Sequence, residues 1–262
     1  MITLENYYDP KSRYLTRSKI MTYLKSPALF KQYWIDGNAP EKVNSKAFKI
    51  GSGVDNLLAQ INNIDNYVVF EGDARTKEGK EYKQSLLDAG KEILTRSEYD
   101  EIIGLADAVE KTTAYKQIKN WEKQKVLFAD EKIGDYFDGL AGLPDYINYD
   151  QEAKTVDIVD LKTSRTIDLR SYFYHAQEYG YFLQAALYVY LALKTYPDAK
   201  NYNFYHLVVE KSESYNVTVF RFPNLLVDSE IERLKDMIAV IGSDKEFKKI
   251  DASLDKPIDL II

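Results

Sequence analysis

The 262-residue chain contains no cysteine. It therefore cannot form disulfides, zinc–thiolate sites or cysteine-bound iron–sulfur clusters. It also lacks the run of about 18 apolar residues that a membrane-spanning helix needs. The first residues, Met1–Asn6, show neither the basic region nor the apolar segment of a signal peptide. These absences favour a cytoplasmic protein without a membrane anchor.

Histidine is also scarce, and basic residues are fewer than acidic ones. The only histidines are His175 and His206, and neither has an evident partner in the sequence, so we expect both to be structural. The 35 basic residues are outnumbered by 41 acidic ones, which gives a net charge of −6. Such a surface would not coat nucleic acid indiscriminately, although a negative net charge is compatible with a basic groove on one part of the surface. The 22 tyrosines suit core edges or, in the functional alternative, base stacking.

Several segments have the periodicity of regular structure, and the length suits one large α/β domain or two small ones. The patterns predict helices over 45–61, 97–119 and 175–191, and a helix from Asp228 or Ser229 to Ile241 that Gly242 ends. They predict strands over 123–128, 136–141, 203–210 and 215–222, the last two forming a hairpin. The apolar end, Pro257–Ile262, is expected to dock on the core or on a neighbouring subunit.

Two predicted neighbouring strands each carry an aspartate. Gly142–Ile147 is followed by the polar break Asn148–Glu152, which predicts a turn, and then by Thr155–Lys162, whose β-branched residues predict a strand. If these strands pair as a hairpin, Asp145 on the first approaches Asp160 on the second. Two carboxylates brought together repel each other unless a cation lies between them, and hard oxygen ligands suit Mg²⁺ or Mn²⁺.

A lysine and a phosphate-binding pattern follow the second aspartate. Lys162 lies two residues after Asp160 and so falls on the same face of the strand. Its ammonium can polarise a water molecule or stabilise charge on a phosphate. Thr163 and Arg165 come next and are suited to holding a phosphate. The pattern predicts metal-assisted phosphodiester hydrolysis; the alternative is that Asp160 and Lys162 form a solvated strand end.

A polar pair interrupts the apolar helix predicted after these strands. Gln184 and Tyr188 are four residues apart and therefore share one face of the helix. An amide and a phenol on a buried helix are costly unless they find polar partners. They either border the site or belong to a core helix with a tyrosine at its rim.

These motifs resemble a known group of enzymes. Pro144-Asp145 followed by Asp160-Leu161-Lys162 resembles the PD-(D/E)xK motif of the nuclease superfamily that includes restriction endonucleases. The later Gln184-x-x-x-Tyr188 resembles the RecB-type and phage exonuclease VIII-like branch. The resemblance implies an α/β fold with a restriction-endonuclease-like core, a central mixed β-sheet flanked by helices. It implies one domain over 1–262, with an N-terminal helical region (1–45), a catalytic core (120–220) and a C-terminal helix and tail (225–262).

The resemblance also implies roles for individual residues. Asp145, Asp160 and the carbonyl of Leu161 would hold Mg²⁺ or Mn²⁺, and Asp55 stands where the branch has a metal-binding histidine. Lys162 would orient or activate the water, and Gln184 and Tyr188 would contact the substrate strand, as would Thr163 and Arg165. Arg17 and Ser18 match the basic residue and serine that touch the DNA backbone. The alternatives are a solvated helix acid at Asp55 and a capped surface helix at Arg17 and Ser18.

The implied function is a DNA exonuclease that acts at double-stranded ends in phage-type recombination or repair. Such an enzyme is expected to form a homo-oligomer, to supply a single-strand annealing protein and to work in the cytoplasm of a bacterium or phage-infected host. Alternatives are a nuclease within a larger helicase or repair assembly, an endonuclease, or a DNA-binding module that has lost cleavage. The last is motivated by Asp55 in place of histidine and by the absence of an upstream glutamate, since Gln124 or Val126 fills its position.

Overall fold

A mixed sheet of five strands forms the centre of the protein. The computed structural model describes residues 2–40, 45–59, 66–73 and 75–248. The ten strands of these residues are β1 (Tyr14–Leu15), β2 (Tyr67–Val69), β3 (Glu92–Leu94), β4 (Glu122–Lys123), β5 (Leu127–Ala129), β6 (Gly139–Gly142), β7 (Tyr146–Asp150), β8 (Thr155–Ser164), β9 (Asn201–Glu210) and β10 (Val217–Phe222). The central sheet has the order β10-β9-β8-β7-β4, and β1-β6-β5 and β2-β3 form two smaller sheets.

Helices flank the sheet. The nine α-helices of the described residues are α1 (Arg17–Lys25), α2 (Pro27–Phe30), α3 (Lys46–Ala59), α4 (Lys77–Asp88), α5 (Arg96–Glu110), α6 (Thr113–Ile118), α7 (Leu169–Glu178), α8 (Tyr181–Thr195) and α9 (Asn224–Ser243). A π-helical turn, Lys31–Ile35, continues α2. Within the described part of the chain, no helix combines the length and the apolar character needed to cross a membrane.

Strand β8 is the middle strand of the sheet, and it is buried on both faces because helices pack on both sides of the sheet. It pairs antiparallel with β7 and parallel with β9. Val156 and Ile158 point to the side where α8 and α9 pack, and Val159 and Leu161 point to the side of α3 and α5. The predicted alternation along this strand is therefore confirmed up to Asp160, whose side chain lies on the α8 face.

The predicted turn between the two aspartate-bearing strands is displaced. β7 continues to Asp150, so Asn148 and Tyr149 are paired with β8 rather than lying in the turn. The turn occupies residues 151–154, where Lys154 has a positive φ of 52°. The Asp150 carboxylate accepts hydrogen bonds from the backbone N–H groups of Glu152 and Ala153, both at 2.9 Å, and so stabilises the turn after the strand.

The prediction of one helix over 97–119 is wrong, because the chain forms α5 and then α6. Thr112 lies at the break, and its hydroxyl accepts a hydrogen bond from the N–H of Tyr115 at 3.0 Å. A side-chain acceptor at this position satisfies a backbone donor at the start of a new helix. The predicted strand 123–128 is likewise two short strands, β4 and β5, in different sheets, and Gln124 between them has a φ of 46°.

The predicted helix over 175–191 is also divided, into α7 and α8. The chain bends at Gly180, which has a φ of +64° that glycine adopts readily and other residues do not. A side chain there would also meet the Met21 sulfur, since a Cβ atom would lie 2.5 Å from it. The division sets the direction of α8 independently of α7.

The C-terminal helix is longer than predicted at both ends. α9 begins at Asn224, directly after Pro223, rather than at Asp228 or Ser229. It continues through Gly242 to Ser243. Gly242 permits a close backbone approach instead of ending the helix, because a Cβ atom there would lie 3.1 Å from the Gly134 nitrogen. The predicted hairpin of β9 and β10 is confirmed, and the apolar tail 257–262 lies outside the described residues.

Candidate active site

Asp160 and Lys162 meet near the end of β8. Because they are two residues apart on one strand, both side chains leave the same face, and they form an ion pair. The Asp160 residue is only 2% exposed. Its other carboxylate oxygen, Oδ1, accepts a hydrogen bond from Gln184 Nε2 at 3.0 Å. Asp160 is therefore held between a strand lysine and a helix amide and is not part of a solvated strand end.

Asp145 reaches the same place because it precedes β7 and lies just beyond the end of the pairing between β7 and β8. The last paired residues are Tyr146 and Val159. Beyond them, the carboxylate of Asp145 replaces the missing strand, and its Oδ2 accepts a hydrogen bond from the Leu161 N–H at 2.7 Å. This contact places Asp145 beside the Asp160–Leu161 peptide, close to the position that the hairpin prediction required.

Gln184 and Tyr188 lie on the face of α8 that covers these strands. Besides its bond to Asp160, Gln184 Nε2 is 3.2 Å from the Tyr188 hydroxyl. That hydroxyl donates to the Leu143 carbonyl at 3.0 Å. Both side chains are at least nine-tenths buried. The polar groups of this pair are thus satisfied by the aspartate-bearing strands and by each other. These bonds connect α8 to the group formed by Asp145, Asp160 and Lys162, which we call the acidic pocket.

The acids in and beside this pocket influence one another. Burial raises the pKa of Asp55 to about 7, with the Lys162 charge opposing the shift and the Asp160 charge adding to it. Burial, followed by the charges of Asp160 and Asp55, raises the pKa of Asp145 well above its ordinary value. Burial disfavours the charged form of Lys162, but Asp160 and Asp145 outweigh it and raise its pKa. Asp55 on α3 therefore belongs to the same electrostatic environment as the strand acids.

The residues present suit a divalent cation by charge. Three carboxylates and one ammonium influence one another here. A bound cation would favour the ionised forms of Asp55 and Asp145, whose pKa values are raised mainly by burial, with the neighbouring acids adding to the shift. Carboxylate and carbonyl oxygens are the ligands that Mg²⁺ prefers. Among the described residues, however, no group of three or more acidic or histidine side chains is already placed around one ion position. The assignment of Asp55, Asp145, Asp160 and the Leu161 carbonyl as ligands stays a prediction.

A cavity of about 570 Å³ opens on one side of Asp55, and we call it the cationic cavity. Its lining includes Lys162, Thr163, Arg165, His175 and Lys211. Thr163 and Arg165, which the sequence predicts to hold a phosphate, both line this cavity. Lys211, which directly follows β9, was not predicted as a site residue, because no short motif marks it. It lies in this cavity because β9 runs parallel to β8 and ends beside it.

A second cavity, of about 800 Å³, opens on the other side of Asp55, and we call it the aromatic chamber. Its aromatic lining consists of Tyr7, Tyr8, Tyr33, Trp34 and Phe48. Although the Tyr8 residue as a whole is 62% exposed, burial around its hydroxyl, followed by the charges of Asp145, Asp55 and Asp160, raises its pKa to about 12. No motif in the sequence pointed to Tyr7 and Tyr8, which lie in the segment before α1.

The two residues predicted to contact the DNA backbone have different environments. Ser18 is exposed and lines the aromatic chamber. Arg17 donates a hydrogen bond to the Gly180 carbonyl at 3.3 Å, and its guanidinium lies 5.6 Å from the centre of the Tyr181 ring. The Lys162 ammonium lies 5.1 Å from the centre of the same ring. Arg17 is thus placed at the α7–α8 bend, near the acidic pocket.

His206, on β9, is completely buried beside this bend. Its Nδ1 is 2.7 Å from the Tyr172 hydroxyl. Burial, assisted by the charges of Lys162 and Arg17, holds its pKa well below the ordinary value, so its ring is neutral at physiological pH. His175, by contrast, lines the cationic cavity.

The family model described as a PDDEXK-like domain of unknown function (DUF3799) matches residues 17–249. The matched region contains Asp55, Asp145, Asp160, Lys162 and both residues of the α8 pair. It also includes the N-terminal helices α1 and α2.

A solved structure resembles nearly the whole chain. A crystal structure of a candidate exonuclease from Eubacterium rectale superposes with a TM-score of 0.64 at 13% identity, covering 99% of this chain and 96% of that one. At this identity the similarity demonstrates a shared fold. A phage-related exonuclease from Haemophilus somnus gives a TM-score of 0.29 at 15% identity, over 73% of this chain and 79% of that one, and carries no argument. No curated protein sequence matches the chain.

Proposed function

Because the chain belongs to the family of PDDEXK-like domains DUF3799, we propose that it is a metal-dependent deoxyribonuclease that hydrolyses phosphodiester bonds. Membership in the PD-(D/E)xK superfamily was predicted from the sequence and is confirmed, as is the α/β, restriction-endonuclease-like fold. The family description assigns no activity, so the proposal depends on the geometry of the site.

The observation that carries the proposal is the environment of Asp160. This buried carboxylate is shared between Lys162 and Gln184, and Asp145 is bonded to the adjoining Leu161 N–H. A merely structural ion pair would not require two further aspartates beside it. Burying like charges is costly, and it is common where a site awaits a cation or stores catalytic groups.

The side chains have separate roles in the proposed reaction. Asp145, Asp160, the Leu161 carbonyl and Asp55 would hold Mg²⁺ or Mn²⁺, which when bound supplies Lewis-acid stabilisation of the phosphate and lowers the pKa of water. Lys162 is held protonated by its neighbouring acids and can orient the attacking water and stabilise charge on the phosphate. Gln184 fixes the orientation of Asp160. Thr163 and Arg165 can hold the phosphates of the strand on the side of the cationic cavity.

We propose that the substrate is the double-stranded DNA end and that the role is phage-type recombination or repair. In this proposal residues 1–262 form one domain and the protein assembles as a homo-oligomer. It supplies a single-strand annealing protein with resected strands in the cytoplasm of a bacterium or phage-infected host. The resemblance to exonucleases of this branch supports these points, and the cationic cavity supports DNA as the ligand.

The decisive experiment compares linear duplex DNA with covalently closed circular DNA. Purified protein is incubated with each in Mg²⁺, in Mn²⁺ and in EDTA, and the products are resolved by gel electrophoresis. We expect the linear DNA to be degraded and the circles to persist, with no reaction in EDTA. Nicking of circles would instead identify an endonuclease, and binding without cleavage would identify a module without catalytic activity; either result would overturn the exonuclease proposal.

Replacing Asp160 tests the site itself. Asp160→Asn keeps the size of the side chain but removes the charge that pairs with Lys162 and would hold the cation. We expect the cleavage rate to fall at least about 100-fold, the scale on which removal of a key charge-stabilising group acts. The rate is measured on end-labelled linear DNA.

Asp157→Asn is the matched control. Asp157 lies on the same strand but on its other face, where it accepts a hydrogen bond from Asn203 at 2.8 Å. The control should cleave at close to the wild-type rate. If Asp160→Asn retains activity, the assignment of the site is wrong.

A further inference from the structure

The aromatic chamber differs in chemistry from the cationic cavity on the other side of Asp55. Its lining has five aromatic side chains, Tyr7, Tyr8, Tyr33, Trp34 and Phe48. Tyr8 and Phe48 are 62% and 53% exposed, so their rings are presented to solvent within the chamber. The cationic cavity, by contrast, is lined by Lys162, Arg165 and Lys211.

The charges of the chamber do not suit phosphate. Asp9 lines the chamber and not the cationic cavity, and its carboxylate would repel an anion. Among the described residues that line it, the one cation is Lys19, and it is only 3% exposed. Its ammonium donates to the Ser12 carbonyl and lies 5.4 Å from the ring centres of both Trp34 and Phe137. The ammonium group of this lysine is thus already in contact with the Ser12 carbonyl and with two aromatic rings.

Flat aromatic groups are the natural ligands of such a chamber. Exposed tyrosine and phenylalanine rings stack with nucleobases irrespective of sequence, because every base has a π-face. The volume of about 800 Å³ is within the range of small-molecule sites and is ample for a nucleotide. A hydroxyl group on Ser18 and an amide group on Gln124 lie in the same lining and can contact base edges.

We propose that the aromatic chamber binds unpaired nucleobases of the strand being cleaved, so that the DNA passes the acidic pocket as a single strand, with its bases stacked on Tyr8 and Phe48. This inference rests on the proposed nuclease function and identifies the form of DNA that the site accepts. Asp55 and Phe48 line both cavities and mark where the strand crosses from one to the other. The phosphates on the far side of the crossing lie in the cationic cavity. A paired base would have its stacking faces covered by its neighbours in the duplex and could not enter.

The test uses single-stranded oligonucleotides that carry 2-aminopurine, a fluorescent base quenched by stacking, at successive positions. Wild-type protein, Tyr8→Ala and Phe48→Ala are compared in Ca²⁺, which replaces Mg²⁺ so that binding can be followed. Tyr82→Ala is the matched control, because Tyr82 is 54% exposed on α4 and lies outside both cavities. Fluorescence quenching reports stacking, anisotropy reports affinity, and circular dichroism confirms that each variant is folded.

We expect quenching at one or two adjacent positions with the wild type and with Tyr82→Ala. Tyr8→Ala and Phe48→Ala should lose that quenching and bind about 5- to 100-fold more weakly, as expected for the loss of one base–aromatic stack. An abasic nucleotide at the quenched position should weaken binding to the wild type but not to the two variants. Absence of quenching at every position, or equal quenching in all four proteins, would overturn the inference.

Cleavage of linear DNA in Mg²⁺ is measured on the same four proteins, which separates the two ideas. Cleavage by the wild type without position-specific quenching leaves the nuclease proposal intact and refutes the chamber. Position-specific quenching that the two variants lose, without cleavage, refutes the nuclease proposal and supports the chamber as a binding site for single strands.

Discussion

Three aspartates and one lysine lie in or beside the acidic pocket, and at the scale of single residues this imbalance determines its behaviour. Asp145 is stabilised by the Leu161 N–H, and Asp160 by Lys162 and Gln184. Asp55 has neighbouring charges of both signs and is half-buried, and burial of its carboxyl group is the largest of the causes that raise its pKa to about 7. The folded state therefore opposes ionisation of Asp55 when no cation is bound.

Asp55→Asn should stabilise the metal-free protein. Because the folded pKa of Asp55 is raised, its cost to stability appears as pH rises from about 4 to about 7 and is complete above that range. In EDTA at pH 8 we expect the variant to have a Tm several degrees above the wild type. At pH 4 the difference should largely disappear. Thermal unfolding followed by circular dichroism provides both values.

Adding Mg²⁺ should reverse the order of stability. A ligand that binds only the folded state raises Tm, so the wild type should gain more than Asp55→Asn if Asp55 holds the ion. Asp157→Asn again serves as the control and should gain as much as the wild type. An equal gain in Asp55→Asn would show that Asp55 is a buried helix acid and not a ligand.

At the scale of elements, the division between α7 and α8 positions the polar pair that contacts Asp160. The periodicity of 175–191 predicted one helix, since both helices are apolar at helical spacing. The left-handed backbone of Gly180 and the Met21 side chain packed against it produce the bend. Gln184 and Tyr188 are directed at the strands by the second helix alone.

Gly180→Ala should be more destabilising than the matched substitution Gly90→Ala. Both glycines have a positive φ, of 64° and 70°, so both variants incur the backbone strain of about 1 kcal/mol or more. A Cβ atom at Gly90 would meet nothing within 4 Å, whereas at Gly180 it would lie 2.5 Å from the Met21 sulfur.

We therefore expect Gly90→Ala to lower the Tm by about 2–4 °C and Gly180→Ala to lower it further, with a loss of cleavage as α8 shifts. Met21→Ala combined with Gly180→Ala should recover part of the difference. Equal effects of the two glycine substitutions would show that the Met21 contact has no role in the bend.

At the scale of the whole molecule, a net charge of −6 is combined with a local group of cations. Lys162, Arg165 and Lys211 line one cavity beside the acidic pocket. Association with DNA must then depend on these few contacts, since the rest of the surface is on balance repulsive. The affinity for DNA should fall as salt concentration rises, with a slope that reflects the small number of phosphates contacted.

Arg165→Ala should reduce the slope of log affinity against log salt concentration by about 0.7–0.9, the value for one lost phosphate contact. Lys235→Ala is the control, because it changes the net charge equally but removes a lysine that pairs with Glu232 on α9 at 2.7 Å. Fluorescence anisotropy with a labelled oligonucleotide between 50 and 200 mM salt, about the range used for such measurements, gives both slopes. Parallel lines for wild type and Arg165→Ala would remove Arg165 from the phosphate contacts.

Patterns within one element were predictable because they depend only on local geometry. The alternation along β8 placed Asp160 and Lys162 together, and the spacing of four placed Gln184 and Tyr188 on one face of α8. The interruptions were not predictable to the same degree. Thr112 and Gly180 divide apolar segments whose periodicity continues on both sides. For β4 and β5, no pattern in the local sequence indicated that they would join different sheets.

The sequence by itself determined the chemical composition of the site: no thiols, three aspartates, a lysine two residues from one of them, and an amide and a phenol one helical turn apart. Only the tertiary structure decided which other residues reach them. Tyr7 and Tyr8 come from the segment before α1, and Lys211 directly follows β9. Their positions depend on how separate elements pack across the sheet, and the periodicity of a single element contains no information about such long-range placement.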